Sequence, residues 1–251
     1  MRCQHRRLVT MGAFALLLWL PFLLATPACN RATVAGRPEQ RQPMTLREGE
    51  YLSTNYIDQL KKTRSPLAAG AQYGAHLFVV RTKGELLQLE AIFNFHEGGD
   101  IFMLRSDGSI VQPRSDLTIS VLDESSFRIG FDSGGQTFKP TDYVFVRDAA
   151  AYVAGIILTG HYKDRHGLNY EFREDGYAVF PERKFPVEIG MDHVLTNFDY
   201  FMQMGPNHIA STVTAFKWDG ENLQLFRTKE DEGGFDEIAD RAPYVSLKAV
   251  R

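Results

Sequence analysis

From about His76 to the end of the chain, apolar and polar residues alternate with a period of two in short runs broken by glycine turns. No other property narrows the fold as much. A period of two puts every second side chain on one face of an extended strand, whereas a helix needs a period near 3.6. Leu168-Asn169-Tyr170-Glu171-Phe172-Arg173 alternates without a break, with Leu168, Tyr170 and Phe172 on one face. Asp107-Gly108, Asp175-Gly176 and Asp219-Gly220 punctuate the runs, as do Glu97-Gly98-Gly99 and Ser133-Gly134-Gly135. Asp-Gly suits the positive φ angles of type I′ turns, so the pattern predicts antiparallel hairpins. Roughly fifteen strands result, among them 86–95, 100–105, 109–112, 117–122, 126–131, 152–163, 168–173, 177–180, 197–203 and 209–218. No stretch beyond His76 sustains a helical pattern long enough for the crossovers of a parallel sheet. The fold class is all-β, an antiparallel meander closing into a barrel. About eight strands fill a small barrel, so the surplus implies either extra strands or two related β-lobes.

Ahead of the strands, Thr45-Leu46-Arg47-Glu48 fits a capping box. Tyr51, Leu52, Tyr56, Ile57 and Leu60 then recur at helical spacing until Pro66. This predicts one N-terminal amphipathic helix lying on the sheet. Sliding the chain along itself by 68 residues aligns Arg105, Asp107, Gly108 and Val111 with Arg173, Asp175, Gly176 and Val179. A duplicated module near 76–147 and 142–218 would make the hairpins 100–105/109–112 and 168–173/177–180 equivalent. Convergence explains the pattern as well, because hairpins in any meander share glycine turns.

The first residues set the expected address. Arg2, Arg6 and Arg7 precede an apolar run from Ala13 to Ala25, and small residues follow. That is the order of a secretory signal peptide, expected over 1–28. Cys29 follows Ala28, and the segment Leu23 to Cys29 resembles a bacterial lipoprotein signal, which implies lipidation of Cys29 and anchoring in the membrane. Residues 29–45 read as a flexible tether, being polar and free of aromatics, and 46–251 as the β-rich domain. Removing the three leader arginines from 28 basic residues leaves 25 against 31 acids, a net charge of −6. Such a chain is not built to neutralise nucleic-acid phosphates. The expected location is the bacterial cell envelope, as an outer-membrane lipoprotein facing the periplasm.

Gly160-His161-Tyr162, followed by Tyr170-Glu171-Phe172-Arg173-Glu174-Asp175-Gly176, resembles the opening of a lipocalin-like (calycin) barrel. Tyr162 stands where that family has Trp. The resemblance implies that Gly160 bends the first strand across the barrel floor, that Tyr162 plugs that end, and that a small apolar ligand sits in the barrel.

Chemical motifs are sparse. The chain holds no Gly-x-Ser-x-Gly elbow, His-Glu-x-x-His pair, phosphate-binding glycine loop or Cys-x-x-Cys pair, so neither catalysis nor a cofactor is expected. His161, Asp164 and His166 form the densest potential metal-ligand cluster, but their spacing matches no common template. The acidic loop Glu230 to Glu237 lacks the ligand order of a calcium loop. His76, His96, His193 and His208 are scattered. The aromatics are the better lead. Tyr170, Phe172, Tyr200 and Phe216 are the expected lining of a ligand cavity, rings giving contact area and hydroxyls orienting a polar head. A non-catalytic module that binds an envelope protein is the alternative.

Overall fold

Period-two segments become strands in two separate sheets of the computed structural model. It describes residues 45–250 except 72–74, 94, 96, 113, 115, 134–135, 194–195, 206, 208 and 231–235. The signal peptide, Cys29, most of the tether, His96, His208 and the centre of the acidic loop lie outside the described residues.

The first sheet holds β1 (Gly49–Ser53), β2 (Leu77–Lys83), β3 (Leu86–Phe93), β4 (Glu97–Leu104), β5 (Leu117–Asp123), β6 (Ser126–Ser133) and β7 (Gln136–Val146). Its antiparallel order is β4-β3-β2-β1-β7-β6-β5, curled into a half barrel. Tyr51, Phe78, Phe127 and Tyr143 are buried inside the curl, and Phe127 stacks on Tyr143 with centroids 5.1 Å apart.

The second sheet closes. β8 (Gly160–Lys163), β9 (Asn169–Phe172), β10 (Tyr177–Phe180), β11 (Arg183–Ile189), β12 (Asp199–Met204), β13 (Ala210–Asp219) and β14 (Asn222–Glu230) run as a meander. β15 (Asp236–Ile238) hangs on the far part of β14, and β16 (Val245–Ala249) pairs with both β14 and β8. The result is an eight-stranded antiparallel barrel. Tyr162 lies at one end, 3 % exposed, its ring resting over Gly160 and its hydroxyl donating to the Leu158 carbonyl at 2.6 Å. A Cβ at Gly160 (φ +153°) would sit 3.4 Å from that hydroxyl, so the glycine gives the ring its seat.

Three helices depart from the sequence expectation. The Thr45–Glu48 capping box is not used: Glu48 accepts from the backbone of Thr82 at 2.9 Å, and Tyr51 and Leu52 belong to β1. β1 is buried on both faces, Tyr51 in the half barrel and Leu52 against the helices. A strand covered on both sides loses its alternation, which is why its sequence mimics a helix. Helix α1 (Thr54–Thr63) starts instead at the N-cap Ser53 and ends at Arg64, which adopts the left-handed conformation (φ +52°). Helix α2 (Pro66–Gly70) follows at once, with Ser65 as N-cap and Pro66 in its first turn.

The strand expected over 152–163 is helix α3 (Ala149–Ile157) followed by β8. Asp148 caps α3 by accepting from Ala151, and Glu50 accepts from the Ala149 backbone at 2.6 Å. Ala149, Val153 and Ile157, four residues apart, form its buried face. Its Val and Ile residues favour strands by propensity. The cap and the burial of that face outweigh them.

Two of the three Asp-Gly hairpins form with a different turn from the one expected. Gly108 (φ +80°) donates to the Arg105 carbonyl and Gly176 (φ +78°) to the Arg173 carbonyl, while Asp107 and Asp175 keep negative φ. This is a type I turn ending in a glycine bulge; type I′ needs two positive φ angles. Each aspartate also accepts from the backbone two residues on, Ser109 at 2.9 Å and Tyr177 at 3.3 Å. The two turns are thus locally alike. Their surroundings differ: 177–180 is the full strand β10, whereas 109–112 contributes a single bridge, Ile110 to Leu104.

Candidate functional site

Register decides which of the expected cavity residues face the barrel axis. Phe172 opposes Ala178, Ala178 opposes Phe185, and Ile189 opposes Phe201. Phe201 opposes Thr214, and Phe216 opposes Leu225. Directly opposed residues share a face, so Phe172, Phe201 and Phe216 all point inward. Their rings meet there. Phe172 lies 5.5 Å from Phe201 and 5.9 Å from Tyr162, and Phe201 lies 6.4 Å from Phe216. Phe172 and Phe216 therefore fill the barrel. Tyr170, directly opposite Tyr162, shares the inner face but is half-buried, edge-on to Phe180, and burial raises its pKa.

Tyr200 is a correction. It opposes Ala215 and sits on the outer face with Phe198 and Phe226. Its hydroxyl donates to the Asp192 carbonyl at 2.9 Å, and burial pushes its pKa up. Its ring occupies the space where Gly190 would carry a Cβ, 2.2 Å from the ring carbon.

The His161 cluster does not converge. Asp164 spends its carboxylate on the backbone of His166 and Leu168, at 2.8 and 2.9 Å. His161 points outward, 3.9 Å from Glu171. Among the described residues no group of three or more His, Cys, Asp or Glu is placed to hold a metal ion.

The larger spaces lie outside the barrel wall. A groove of about 670 Å³ runs along α3. Ala150, Ala154 and Gly155 of α3 line it together with Pro186 and Glu188 of β11 and Met204 of β12. The hairpin turn Arg173 to Tyr177 closes one part, and Leu77 and Phe95 reach it from the half barrel. Glu50, Asp148, Glu174, Asp175 and Glu188 set five carboxylates around it against the single guanidinium of Arg173. Arg173 itself lies 3.5 Å from Asp175.

A second cavity of about 250 Å³ shares Phe95 and Met191 with the groove. Leu67, Gly70, His76 and His193 also line it. Here the half-barrel helices meet the barrel end. The Leu67 backbone donates to Asp199 Oδ1 at 2.8 Å, and Arg64 covers Trp218, its guanidinium 4.5 Å from the ring centroid. His193 Nδ1 lies 2.9 Å from the Met191 carbonyl, which can only accept, so Nδ1 carries a proton. His193 Nε2 is buried without a hydrogen bond, 3.5 Å from Asp199 Oδ1. Tyr56, tilted against both His76 and Phe95, which stack on each other, has a buried hydroxyl that also lacks a partner, and its pKa is raised by burial and by the Asp199 charge.

His193 lies in the loop between β11 and β12; the sequence showed it only as one of several scattered histidines, and Asp199 carried no signal of its own. A lone histidine in a loop carries no spacing signal. No family model, no curated protein and no solved structure matches the chain.

Proposed function

We propose that this is an exported, lipid-anchored envelope protein of lipocalin-like build that binds one small apolar molecule. The closed eight-stranded barrel supports the likeness, as does the Tyr162 ring seated on Gly160 at one end. The binding place is not the barrel axis, which is filled by Phe172, Phe201 and Phe216. It is the groove of about 670 Å³ between α3, the outer wall of β11–β12 and the half barrel. That groove is the observation that carries the reading, because ligand pockets span roughly 300–1,000 Å³ and combine apolar walls with a few polar groups. Met191, Met204 and Phe95 supply adaptable apolar contact.

Native mass spectrometry of protein purified gently from its host, before and after organic extraction, tests the proposal. A bound mass that extraction removes is the expected result. A clean apo mass, with no thermal shift across a panel of lipids and apolar metabolites, would count against it.

One observation favours the alternative interaction module. β4 and β5 are the end strands of the half barrel, β4 covered on its outer edge only near Leu104 by the Ile110 bridge, and Ile101 on β4 is 57 % exposed and Leu122 on β5 is 40 % exposed. Open edges with apolar side chains invite a partner strand.

A further inference from the structure

β5 ends the half barrel on one side and pairs with β6 alone. One step beyond the Leu117–Phe131 pair, the Asp132 N–H donates to the Asp116 carbonyl at 2.8 Å. Backbone groups alternate along an antiparallel ladder, so Thr118 and Ser120 spend theirs on β6 while Ile119 and Val121 turn theirs away. Among the described residues no backbone group bonds Ile119 or Val121 from that outer side. The Asp107-Gly108 turn rests against the Val121 side chain, whose Cγ2 is 3.4 Å from where a Gly108 Cβ would sit, but it gives β5 no backbone bond. Sheets guard such edges with charge, proline, bulges or a cover. The other ends are guarded. β4 begins Glu97-Gly98-Gly99-Asp100, and the Val111 N–H takes its Met103 carbonyl. β15 is three residues long and holds two acids. Leu117 to Leu122 carries no charge, proline or glycine.

We propose, independently of the groove reading, that β5 pairs antiparallel with β5 of a second copy of this chain about a two-fold axis at Ile119. The Ile119 N–H of each copy donates to the Ile119 carbonyl of the other, and the Val121 N–H to the Leu117 carbonyl. Opposed residues share a face. Leu117, Ile119 and Val121 therefore continue one apolar stripe across the axis, and Thr118 meets Ser120 on the exposed side. Charge selects this register. The exposed Arg114, beside its own Asp100 and Asp116, comes opposite Glu124 of the second copy. Moving the axis to Ser120 would set Asp116 against Glu124 and Leu117 against Asp123. Closure selects the occupant. A two-fold pair consumes the unguarded edge of both chains and leaves none for further growth.

The test is sedimentation velocity of the full chain carrying Cys3→Ser and Cys29→Ser, which leaves no native thiol. An interface resting on one strand pair is small beside the roughly 1,200 Å² of stable complexes, so the expected dimer is weak, with a Kd on the order of 0.1 mM. Samples from about 10 µM to about 1 mM bracket that value. Thr118→Lys/Ser120→Lys should weaken the dimer at least about tenfold, because lysines then oppose each other on both sides of the axis. Both side chains are exposed, so the far-UV circular dichroism should not change. Disulfide formation reads the register. Chains with Thr118→Cys mixed with chains carrying Ser120→Cys should cross-link faster than either variant alone. A monomer at every concentration overturns the proposal. So does a folded double-lysine variant that dimerises like its parent. Faster cross-linking of either cysteine variant with itself than with the other overturns the axis at Ile119.

Discussion

The backbone N–H of Leu67, in the first turn of a five-residue helix, donates at 2.8 Å to a carboxylate that points in from the barrel end, Asp199. This bond joins the half barrel's helices to the closed barrel across 132 residues of chain. It also fixes Asp199 beside His193, so one contact sets both the joint and the small cavity next to it.

Asp199→Ala should therefore destabilise the protein by about 1–3 kcal/mol, the cost of leaving a partly buried backbone donor without its charged acceptor. Urea unfolding followed by far-UV circular dichroism measures it. An unchanged midpoint would show that the joint rests on apolar packing alone.

Gly190, just past the end of β11, faces Tyr200 on β12, the Gly190 N–H donating to the Tyr200 carbonyl at 2.9 Å. Because the Tyr200 ring fills the site of the missing Cβ, Gly190→Ala should cost about 1–3 kcal/mol through forced displacement of the ring. In a Tyr200→Ala background the same change should cost much less. A double-mutant cycle reads the difference, and additive effects would refute the clash.

Gly176 holds the bulge position of its turn at φ +78°. Gly176→Val should cost about 1 kcal/mol or more, because a β-branched residue resists that conformation. Gly108→Val, at φ +80° in the matching turn, should behave in the same direction. Thermal unfolding compares the two variants, and a neutral outcome at both would contradict the turn geometry.

High pH should unfold the protein through its buried tyrosines. Burial pushes Tyr51 and Tyr162 up to about 12, and it raises Tyr56 and Tyr143 as well. An unfolded tyrosine ionises near pH 10. Folded pKa values above the unfolded one mean that stability is intact below about pH 10 and falls as pH rises toward about 12. Urea midpoints should hold up to about pH 10 and then decline, and Tyr162→Phe should shallow the decline. A flat profile to about pH 11.5 would be inconsistent with this burial.

The anchor is open to a direct experiment. Under the proposed lipidation, Cys29→Ser should move the protein from the membrane fraction to the soluble periplasm. Intact mass showing an unlipidated N-terminus at Cys29 or beyond would end that proposal.

Local structure was written in the sequence wherever a few adjacent residues suffice to specify it. Strand β10 runs over 177–180 as the alternation predicts, and the Asp107-Gly108 and Asp175-Gly176 pairs do turn the chain. Such features depend on the φ preferences of glycine and on side chains two apart, both readable from neighbours. What depends on distant pairing was not legible. Alternation says that 198 and 200 share a face but not whether that face looks inward; the pairing of Tyr200 with Ala215 decides it, and it sends Tyr200 outside and Phe201 and Phe216 inside. Burial on both faces erased the alternation that would have marked β1 as a strand. The closing of one sheet rests on β16 meeting β8, Ala249 opposite Tyr162, while the other stays open between β4 and β5. The candidate site follows from the same cause. The sequence supplied aromatic rings for a barrel, and tertiary packing spent them on filling it. The open space was left between α3 and the barrel wall, and His193, which lines the separate smaller cavity, was brought against Asp199.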